Sequence, residues 1–347
     1  MWNINSISQI PPKRKTVSET NLVIFNPEHD LALAAGSHSY TPPPAIKKII
    51  NEYSLTAALY ADVGDFILIP DSFPLENLHI LPYYDIFNKK NLTPVSLRDL
   101  GFIGDKIKQI FPWGWNQYLR HSLLSNGIKE EKLPSLTQLD KLRNLSHRKT
   151  ALKTLKSIYH YLDHNPNKVP VELFSVEEVE GYIRVFPDTF LKAPWSSSGR
   201  GIVRTTHISH KGLLEWAHGV IKKQGSVIVE PSWERVLDFA SEWEIKEGSV
   251  KFLGYSIFKT SDRGKYHGNI EDSQKNLLDT IISFAPEFST RIIDAQAAVL
   301  EEQIAPFYSG PLGIDMLVDN NGEIHPCVEI NLRMTMGHIS ILKDTEN

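Results

Sequence analysis

The segment Gly310–Arg333 constrains the fold more than any other stretch of this chain. Its turn residues, Asn320–Gly322, separate two runs in which apolar residues alternate with polar ones. Such a pattern predicts an antiparallel β-hairpin. Pro326 in the second run has no backbone N–H to donate to a neighbouring strand, so we expect a sheet edge or a β-bulge there.

The register of this hairpin decides which side chains meet. With a three-residue loop at Asn321–Glu323, Asp315 lies directly opposite Glu329. Because side chains alternate between the two faces, Asn331 then shares the face of Glu329, about 6.6–6.8 Å further along the strand. A loop of two or four residues would turn Asp315 to the opposite face.

The side chains of Asp315, Glu329 and Asn331 together have the chemistry of a metal site. Two carboxylates and one amide oxygen are hard ligands that suit Mg²⁺, which usually takes one or two carboxylates with phosphate oxygens and water. A second interpretation stays open on these residues alone, namely a pair of surface acids on an exposed face of the hairpin.

The first part of the chain alternates short apolar runs with helical patterns. We predict buried strands over Asn21–Asn26 and Asp65–Pro70, with a helix over Ala45–Tyr53 between them. Alternation of this kind is typical of an α/β unit with a parallel sheet. We expect a flexible tail over residues 1–20 and a first domain over residues 21–140.

Length and composition exclude several classes of protein. A chain of 347 residues favours two or three domains. Its 37 Lys and Arg residues stand against 41 Asp and Glu residues, so no basic excess attracts nucleic acid or membranes. The single cysteine, Cys327, excludes an internal disulfide framework. No apolar run approaches the roughly 18 residues that span a bilayer, and the first residues lack the apolar core of a signal peptide. We therefore expect a soluble, cytoplasmic protein without nucleic-acid or membrane partners.

A strand that carries a lysine leads directly into a loop of small residues. Phe190–Ala193 presents Lys192, and the loop Trp195–Gly201 follows. Small residues let backbone N–H groups approach phosphate oxygens closely, and a lysine adds a point charge for phosphate. The spacing matches neither a Walker loop nor a dinucleotide-binding fingerprint. A flexible surface turn is the alternative interpretation.

A second apolar strand, Val227–Val229, ends in Glu230 and Pro231. Exposed backbone at such a point can form hydrogen bonds with the edge of an adenine base. The alternative is a strand that simply ends at the proline.

The order of these pieces resembles the ATP-grasp superfamily. A helix start with Arg148 and Lys149 is followed by the strand lysine, the small-residue loop, the strand-end glutamate and the acid pair of the hairpin. The resemblance covers about Ser146–Ser340, and the E-x-N ending opposite an acid is its most specific part. Phe25–Ala34 and Phe252–Asn269 are also similar to an uncharacterised group of bacterial ATP-grasp proteins.

The resemblance implies an α+β ATP-grasp fold that follows a Rossmann-like domain of the α/β class. A lid subdomain would occupy residues 141–225, and a C-terminal subdomain with the metal site would occupy residues 226–347.

The same resemblance implies roles for individual residues. The carboxylates and the amide of the hairpin would hold Mg²⁺, or Mn²⁺ in its place, while Arg333 would contact the transferring phosphoryl group. Arg263 and His267 would lie near the acceptor substrate. The residues that it implies for nucleotide binding are Arg148 or Lys149, the catalytic Lys192, the lid residues Ser196, Ser197, Ser198, Gly199 and Gly201, the hinge residues Glu230 and Trp233, and Asp238 or Glu242 for the ribose.

The activity implied is an ATP-dependent ligase of the ADP-forming kind. A substrate carboxylate attacks the γ-phosphoryl group to give an acylphosphate, and an amine or a thiol then displaces phosphate. Phosphoryl transfer depends on positioning and charge neutralisation, so no catalytic cysteine or serine triad is needed. The implied partners are small-molecule or peptide acids and amines, and homodimers are common in the family. A kinase-type transfer, or nucleotide binding without turnover, are the alternatives.

Some residues outside these motifs leave two interpretations open. Glu28, His29 and Asp30 follow the first strand, where they could contact a substrate, or Asp30 could cap a helix. For Trp113, the sequence favours packing in the core over a role as a substrate platform. For His338, it favours a position on the surface.

Overall fold

A computed structural model describes residues 20–164, 166, 169–196, 201–260 and 266–346. The predicted tail therefore lies almost wholly outside the described residues. The chain divides into two compact units. Pro27–Pro42 and Trp113–Arg120, which the sequence analysis assigned to the first domain, belong with Pro134–Asn347 in the second unit. The described residues of the first unit are 20–26, Pro43–Pro112 and His121–Leu133.

The helices and strands of the described residues follow the predicted order closely. None of these helices is long and apolar enough to cross a membrane. The helices are α1 His29–Ala35, α2 Pro44–Tyr53, α3 Tyr84–Lys89, α4 Leu100–Ile103, α5 Gln117–Ser125, α6 Leu136–Leu145, α7 Arg148–Tyr161, α8 Val176–Val185, α9 His210–Gln224, α10 Gln274–Phe284, α11 Arg291–Gln303 and α12 Met336–Glu346. The strands are β1 Thr20–Ile24, β2 Phe66–Leu68, β3 Thr93–Val95, β4 Ile107–Pro112, β5 Val171–Leu173, β6 Thr189–Lys192, β7 Ile202–Arg204, β8 Val227–Pro231, β9 Arg235–Lys246, β10 Ser249–Thr260, β11 Tyr266–Ile270, β12 Gly310–Asp319 and β13 Ile324–Asn331.

The first unit contains a parallel sheet in the order β3-β2-β1-β4, which confirms the predicted α/β arrangement. Val23 on the central strand pairs with Ile67 on one side and with Phe111 on the other. Apolar residues of the central strand are buried on both faces, as is typical of a parallel sheet.

The second unit contains two sheets, a four-stranded one in the order β5-β8-β6-β7 and a five-stranded one in the order β11-β10-β9-β12-β13. Side chains that alternate along β9 and β12 divide the larger sheet into two faces. Phe239, Trp243, Ile314 and Met316 lie on the face that forms the main hydrophobic core with α7, α10 and α11. The opposite face carries the polar residues of the predicted site.

The predicted pairing at that site is confirmed. Asp315 pairs with Glu329, and Gly313 pairs with Asn331. The predicted loop, however, is wrong by one residue: it spans Asn320–Gly322, because the backbone N–H of Asp319 donates to the Glu323 carbonyl at 3.0 Å.

An irregularity in β13 restores the register that the loop would have shifted. Close to the turn, Leu317 pairs with His325, as the observed loop requires, whereas the predicted loop would have paired it with Cys327. Only Met316 then faces the stretch from Pro326 to Val328 before the Asp315 pair begins. Pro326 thus lies in a bulge, as its missing N–H predicts.

A buried polar cluster links β9 to the start of α12. Glu242 and His338 are almost completely buried, and their Oε2 and Nδ1 atoms lie 3.0 Å apart. Thr335 donates to Glu242 at 2.8 Å, as does Ser256. Burial alone would raise the pKa of Glu242, but these partners hold it below its usual value. The surface position expected for His338 is therefore wrong, because His338 is the partner that a buried carboxylate requires.

Gly337 is the position at which this cluster leaves no room for a side chain. A Cβ there would overlap the Glu242 carboxylate and the Ser256 hydroxyl. By contrast, Gly219 in α9 has open space around it.

We predict that Gly337→Ala lowers the free energy of unfolding by about 1–3 kcal/mol, the usual cost of overpacking. Gly219→Ala is the matched control, and it should raise that energy by about 0.5–1 kcal/mol because alanine favours a helix. Urea unfolding followed by circular dichroism measures both. Equal changes in the free energy of unfolding for the two substitutions would contradict the tight packing of the cluster around Gly337.

Candidate functional site

Asp315, Glu329 and Asn331 form the polar end of the β12–β13 hairpin. The amide of Asn331 donates to Asp315 Oδ1 at 3.2 Å. Burial, together with the negative charges of Glu329 and Glu242, raises the pKa of Asp315 to about 8. The hairpin therefore concentrates more negative charge than its surroundings compensate, and a cation bound there would relieve the repulsion.

The oxygen donors at this point are of the kind that Mg²⁺ takes. Within the described ranges, no group of three or more His, Cys, Asp or Glu side chains is placed to hold a metal ion. Two carboxylates and one amide oxygen are nevertheless enough for an ion that completes its shell with phosphate and water.

Arg148, at the start of α7, reaches this carboxylate pair. Its Nη1 lies 2.8 Å from Glu329 Oε1, and its Nη2 donates to Ser196 Oγ at 2.9 Å. The guanidinium is buried, whereas the neighbouring Lys149 is exposed. Of the two basic residues that the sequence left open, the structure brings Arg148 into the site.

Lys192 and Glu230 form a buried ion pair between the neighbouring strands β6 and β8. Lys192 Nζ lies 2.8 Å from each carboxylate oxygen, and both side chains are less than a tenth exposed. They line a cavity together with the Cys327 thiol, whose pKa is raised by burial. The full lining is Arg148, Ala151, Leu152, Leu155, Pro170, Lys192, Ile228, Glu230, Cys327 and Val328.

The residues predicted for the adenine hinge and the ribose lie close to the end of β8. Trp233 packs on His325 with ring centroids 4.2 Å apart. Asp238 accepts a hydrogen bond from Thr260 and lies 3.6 Å from Arg235. Glu242 is committed to its buried cluster, so Asp238 is the better placed of the two acids proposed for the ribose.

The lid residues are only partly described. Ser196 and Gly201 flank the described ends of the loop, and Gly201 accepts a hydrogen bond from Ala193 at 2.8 Å. Gly201 has a φ of +73°, and a Cβ there would lie 2.9 Å from that of Ser196, so glycine suits the position. Three further lid residues, Ser197, Ser198 and Gly199, and the candidate Arg263 lie outside the described residues. His267 is exposed on β11.

Arg333 makes a contact that the sequence did not predict. Its Nε donates to Asp30 Oδ1 at 2.9 Å, and its Nη2 donates to Asp30 Oδ2 at 2.7 Å. Burial alone would raise the pKa of Asp30, but Arg333 holds it below its usual value. Asp30 thus pairs with an arginine 303 positions away instead of capping α1.

A second cavity opens beside this ion pair, with Asp30 in its wall. His29, buried in its wall, has its pKa lowered to about 4 by burial, so it is neutral near pH 7. The cavity is lined by His29, Asp30, Leu33, Ser146, Pro194, Trp195, Ser196, Glu329, Ile330, Asn331 and Leu332.

A tight contact holds His29 in that wall. A Cβ at Gly114 would lie 2.6 Å from the His29 ring, and the Asn116 amide lies 3.3 Å from His29 Nδ1. The glycine between the two tryptophans was the sequence signal for this close approach, but the sequence did not indicate which residue it faces.

Comparison with solved structures places the whole chain in one fold. The biotin carboxylase–β,γ-ATP complex from Campylobacter jejuni superposes with a TM-score of 0.54 at 13% identity, covering 94% of this chain and 67% of the other. The N5-carboxyaminoimidazole synthetase from Staphylococcus aureus, complexed with ADP, gives a TM-score of 0.51 at 13% identity, covering 94% and 73%. Both are ATP-grasp proteins.

Sequence comparison finds a more limited match. The [Butirosin acyl-carrier protein]--L-glutamate ligase of Niallia circulans is 30% identical over 154 residues, which are 43% of this chain and 34% of that protein. The match thus spans about a third of the curated relative. No protein-family model matches the chain.

This chain has the ATP-grasp fold.

Proposed function

We propose that this protein is an ATP- and Mg²⁺-dependent ligase that joins a carboxylate to an amine or a thiol and releases ADP and phosphate. One observation carries the proposal: the Lys192 cavity and the Asp315–Glu329 pair occupy the same compact unit, and Arg148 contacts both. Cationic side chains for phosphates and carboxylates for a divalent ion thereby lie side by side.

The residues of this unit divide the work of phosphoryl transfer. Lys192 and Arg148 provide positive charge for the nucleotide phosphates, while the backbone beside Trp233 and the carboxylate of Asp238 contact the base and the ribose. Asp315, Glu329 and Asn331 hold the divalent ion, Mg²⁺ or Mn²⁺, which when bound neutralises phosphate charge. Arg333 contacts the phosphoryl group that is transferred. Charge compensation and positioning are the main requirements of this chemistry.

The substrates proposed are a small-molecule or peptide acid and an amine. The name of the Niallia circulans relative, a ligase for L-glutamate and an acyl-carrier protein, supports ligation. A cytoplasmic location and a homodimer, both expected from the sequence, stay predictions.

One observation supports a second candidate function, which is nucleotide binding without turnover. All three cations proposed for phosphate are already paired: Lys192 with Glu230, Arg148 with Glu329, and Arg333 with Asp30. Such a protein would bind Mg²⁺–ATP but catalyse nothing.

The proposed activity predicts that ADP and inorganic phosphate appear together when the protein meets Mg²⁺–ATP, a mixture of amino acids and a mixture of carboxylic acids. Mass spectrometry of the reaction identifies the new amide or thioester. AMP and pyrophosphate as products would contradict the proposal. A phosphorylated acceptor without free phosphate would indicate a kinase, and a thermal shift without any product favours the second candidate.

Lys192→Ala is predicted to raise the Kd for Mg²⁺–ATP at least tenfold, because a charged hydrogen bond contributes about 1.5–3 kcal/mol. Calorimetric titration measures the change. Lys211→Ala, at an exposed position on α9, is the control and should leave the Kd unchanged. The double variant Lys192→Ala/Glu230→Gln leaves no unpaired buried carboxylate, and it should bind Mg²⁺–ATP as weakly as Lys192→Ala does. Wild-type affinity in both variants would contradict the phosphate role.

Asp315→Asn should stabilise the metal-free protein at alkaline pH. The pKa of Asp315 is raised to about 8 in the folded state, so folding favours its protonated form. Stability from this group is present at low pH and is lost as the pH rises through about 8. In EDTA, the variant should therefore unfold at a higher temperature than the wild type at pH 9, and the difference should vanish near pH 4.

Mg²⁺ with ATP should reverse this order, because only the wild type keeps both carboxylates. Asp279→Asn, on the exposed side of α10, is the control for loss of one negative charge. Equal stabilisation of Asp315→Asn and the wild type by Mg²⁺–ATP would contradict the metal site.

A further inference from the structure

Two segments far upstream in the sequence hold Arg333 in place. We infer that Asp30 is a positioning residue, which orients the Arg333 guanidinium toward the transferring phosphoryl group. The inference rests on the proposed function, and it assigns to the Glu28–Asp30 motif a role that the nucleotide-binding residues do not cover.

The hydrogen bonds of Arg333 fix the plane of its guanidinium. Asp30 accepts from both Nε and Nη2, Asn331 Oδ1 accepts from Nη2 at 3.0 Å, and the Met334 carbonyl accepts from Nη1 at 3.0 Å. A guanidinium has five N–H bonds. Among the described residues, these contacts leave one N–H, on Nη1, for a ligand. Asp30 therefore orients the guanidinium of Arg333 and still leaves one of its N–H bonds for a ligand.

The segment that bears Asp30 is itself tied to the backbone beside Arg333. The N–H of Met334 donates to the carbonyl of Trp113 at 2.9 Å. The next residue, Gly114, contacts the ring of His29, which precedes Asp30 in α1. Asp30, Arg333, Met334, Trp113, Gly114 and His29 thus form a closed circuit of contacts, which we call the Arg333 clasp. All six belong to the second compact unit.

Asn116 fixes the upstream side of the clasp. Its side-chain oxygen accepts from the Leu119 N–H at 2.9 Å at the start of α5, while its amide lies against His29. A helix start thereby anchors the segment that His29 contacts.

The location of the ion pair favours positioning over stability. The side chains of Arg333 and Asp30 are 17% and 22% exposed, and Asp30 lines the second cavity together with Glu329 and Asn331. A bidentate pair between arginine and a carboxylate fixes geometry as well as charge. Partly buried ion pairs are weak evidence for stability, because desolvation offsets much of their attraction. Next to the cation site, what such a pair provides is a defined direction for the guanidinium.

The experiment compares the Kd values for Mg²⁺–ATP and Mg²⁺–ADP, because only ATP carries the γ-phosphoryl group. Arg333→Ala should lower the preference for ATP over ADP, relative to the wild type, by about tenfold or more. Asp30→Asn should lower it in the same direction by at least fivefold, with the Kd for ADP changed less than twofold. In the double variant the preference should equal that of Arg333→Ala, because Asp30 acts through Arg333.

Asp30→Glu keeps the carboxylate and should recover part of the preference, which a merely structural role would not predict. Gly114→Ala, which displaces His29 without changing any charge, should lower the preference as well and serves if Asp30→Asn does not fold. Asp71→Asn removes an ion pair with Arg98 in the first unit and should leave the preference unchanged.

An unchanged preference in folded Asp30→Asn would overturn the inference. An increased preference would overturn it too, since Asp30 would then compete with the nucleotide for Arg333. If the wild type binds neither nucleotide, the proposed function fails and the inference fails with it, an outcome that the wild type alone reveals.

Discussion

The repulsion between Asp315 and Glu329 is the constraint on which the rest of the second unit depends. A hairpin places the two carboxylates opposite each other, and an apolar core covers the reverse face of the sheet. Charges away from bulk water need partners. Arg148 supplies one for Glu329 from α7, and Asn331 donates to Asp315. These contacts bring elements that are distant in sequence to one point, where the proposed divalent ion would relieve the remaining repulsion.

The same requirement explains why residues from the first forty positions belong to the second unit. Arg333 follows the hairpin directly and is itself a half-buried cation. Asp30 compensates it, which ties α1 to the end of β13. The glycine at position 114 then lets His29 approach the backbone closely enough to complete the Arg333 clasp. A chain in which each unit was one continuous segment would leave Arg333 without this carboxylate.

The sequence predicted the parallel sheet, most helices and the pairing of the two carboxylates, because these depend on local periodicity. The predicted pairing of Asp315 with Glu329 was correct because two differences from the predicted hairpin cancel. The loop begins one residue earlier than predicted, and the bulge at Pro326 compensates for that difference. A missing N–H signals that a bulge forms, but the number of residues in the bulge depends on packing between strands.

Contacts between distant segments could not be predicted in the same way. Nothing in the local pattern distinguishes Asp30 as a partner of Arg333 from Asp30 as a helix cap, since both roles need one acid after a strand. The prediction of a surface position for His338 was wrong for a related reason. A histidine near a glycine is typical of a surface, and only its contact with the buried Glu242 explains its burial. The identity of a partner depends on tertiary packing, which one sequence does not specify.

Two of the ion pairs of the site, Lys192–Glu230 and Arg333–Asp30, differ in what they leave for a ligand. Glu230 contacts Lys192 with both oxygens in a buried position, so a phosphate must share or replace that carboxylate. Asp30 instead leaves one N–H of Arg333 available and lies partly exposed beside a cavity. Binding at Lys192 therefore exchanges one anion for another, and the phosphate takes over hydrogen bonds that Glu230 makes in the free protein. Binding at Arg333 adds a contact to a guanidinium that is already oriented. Under the proposed function, Lys192 therefore contributes to holding the nucleotide, while Arg333 acts on the group that is transferred.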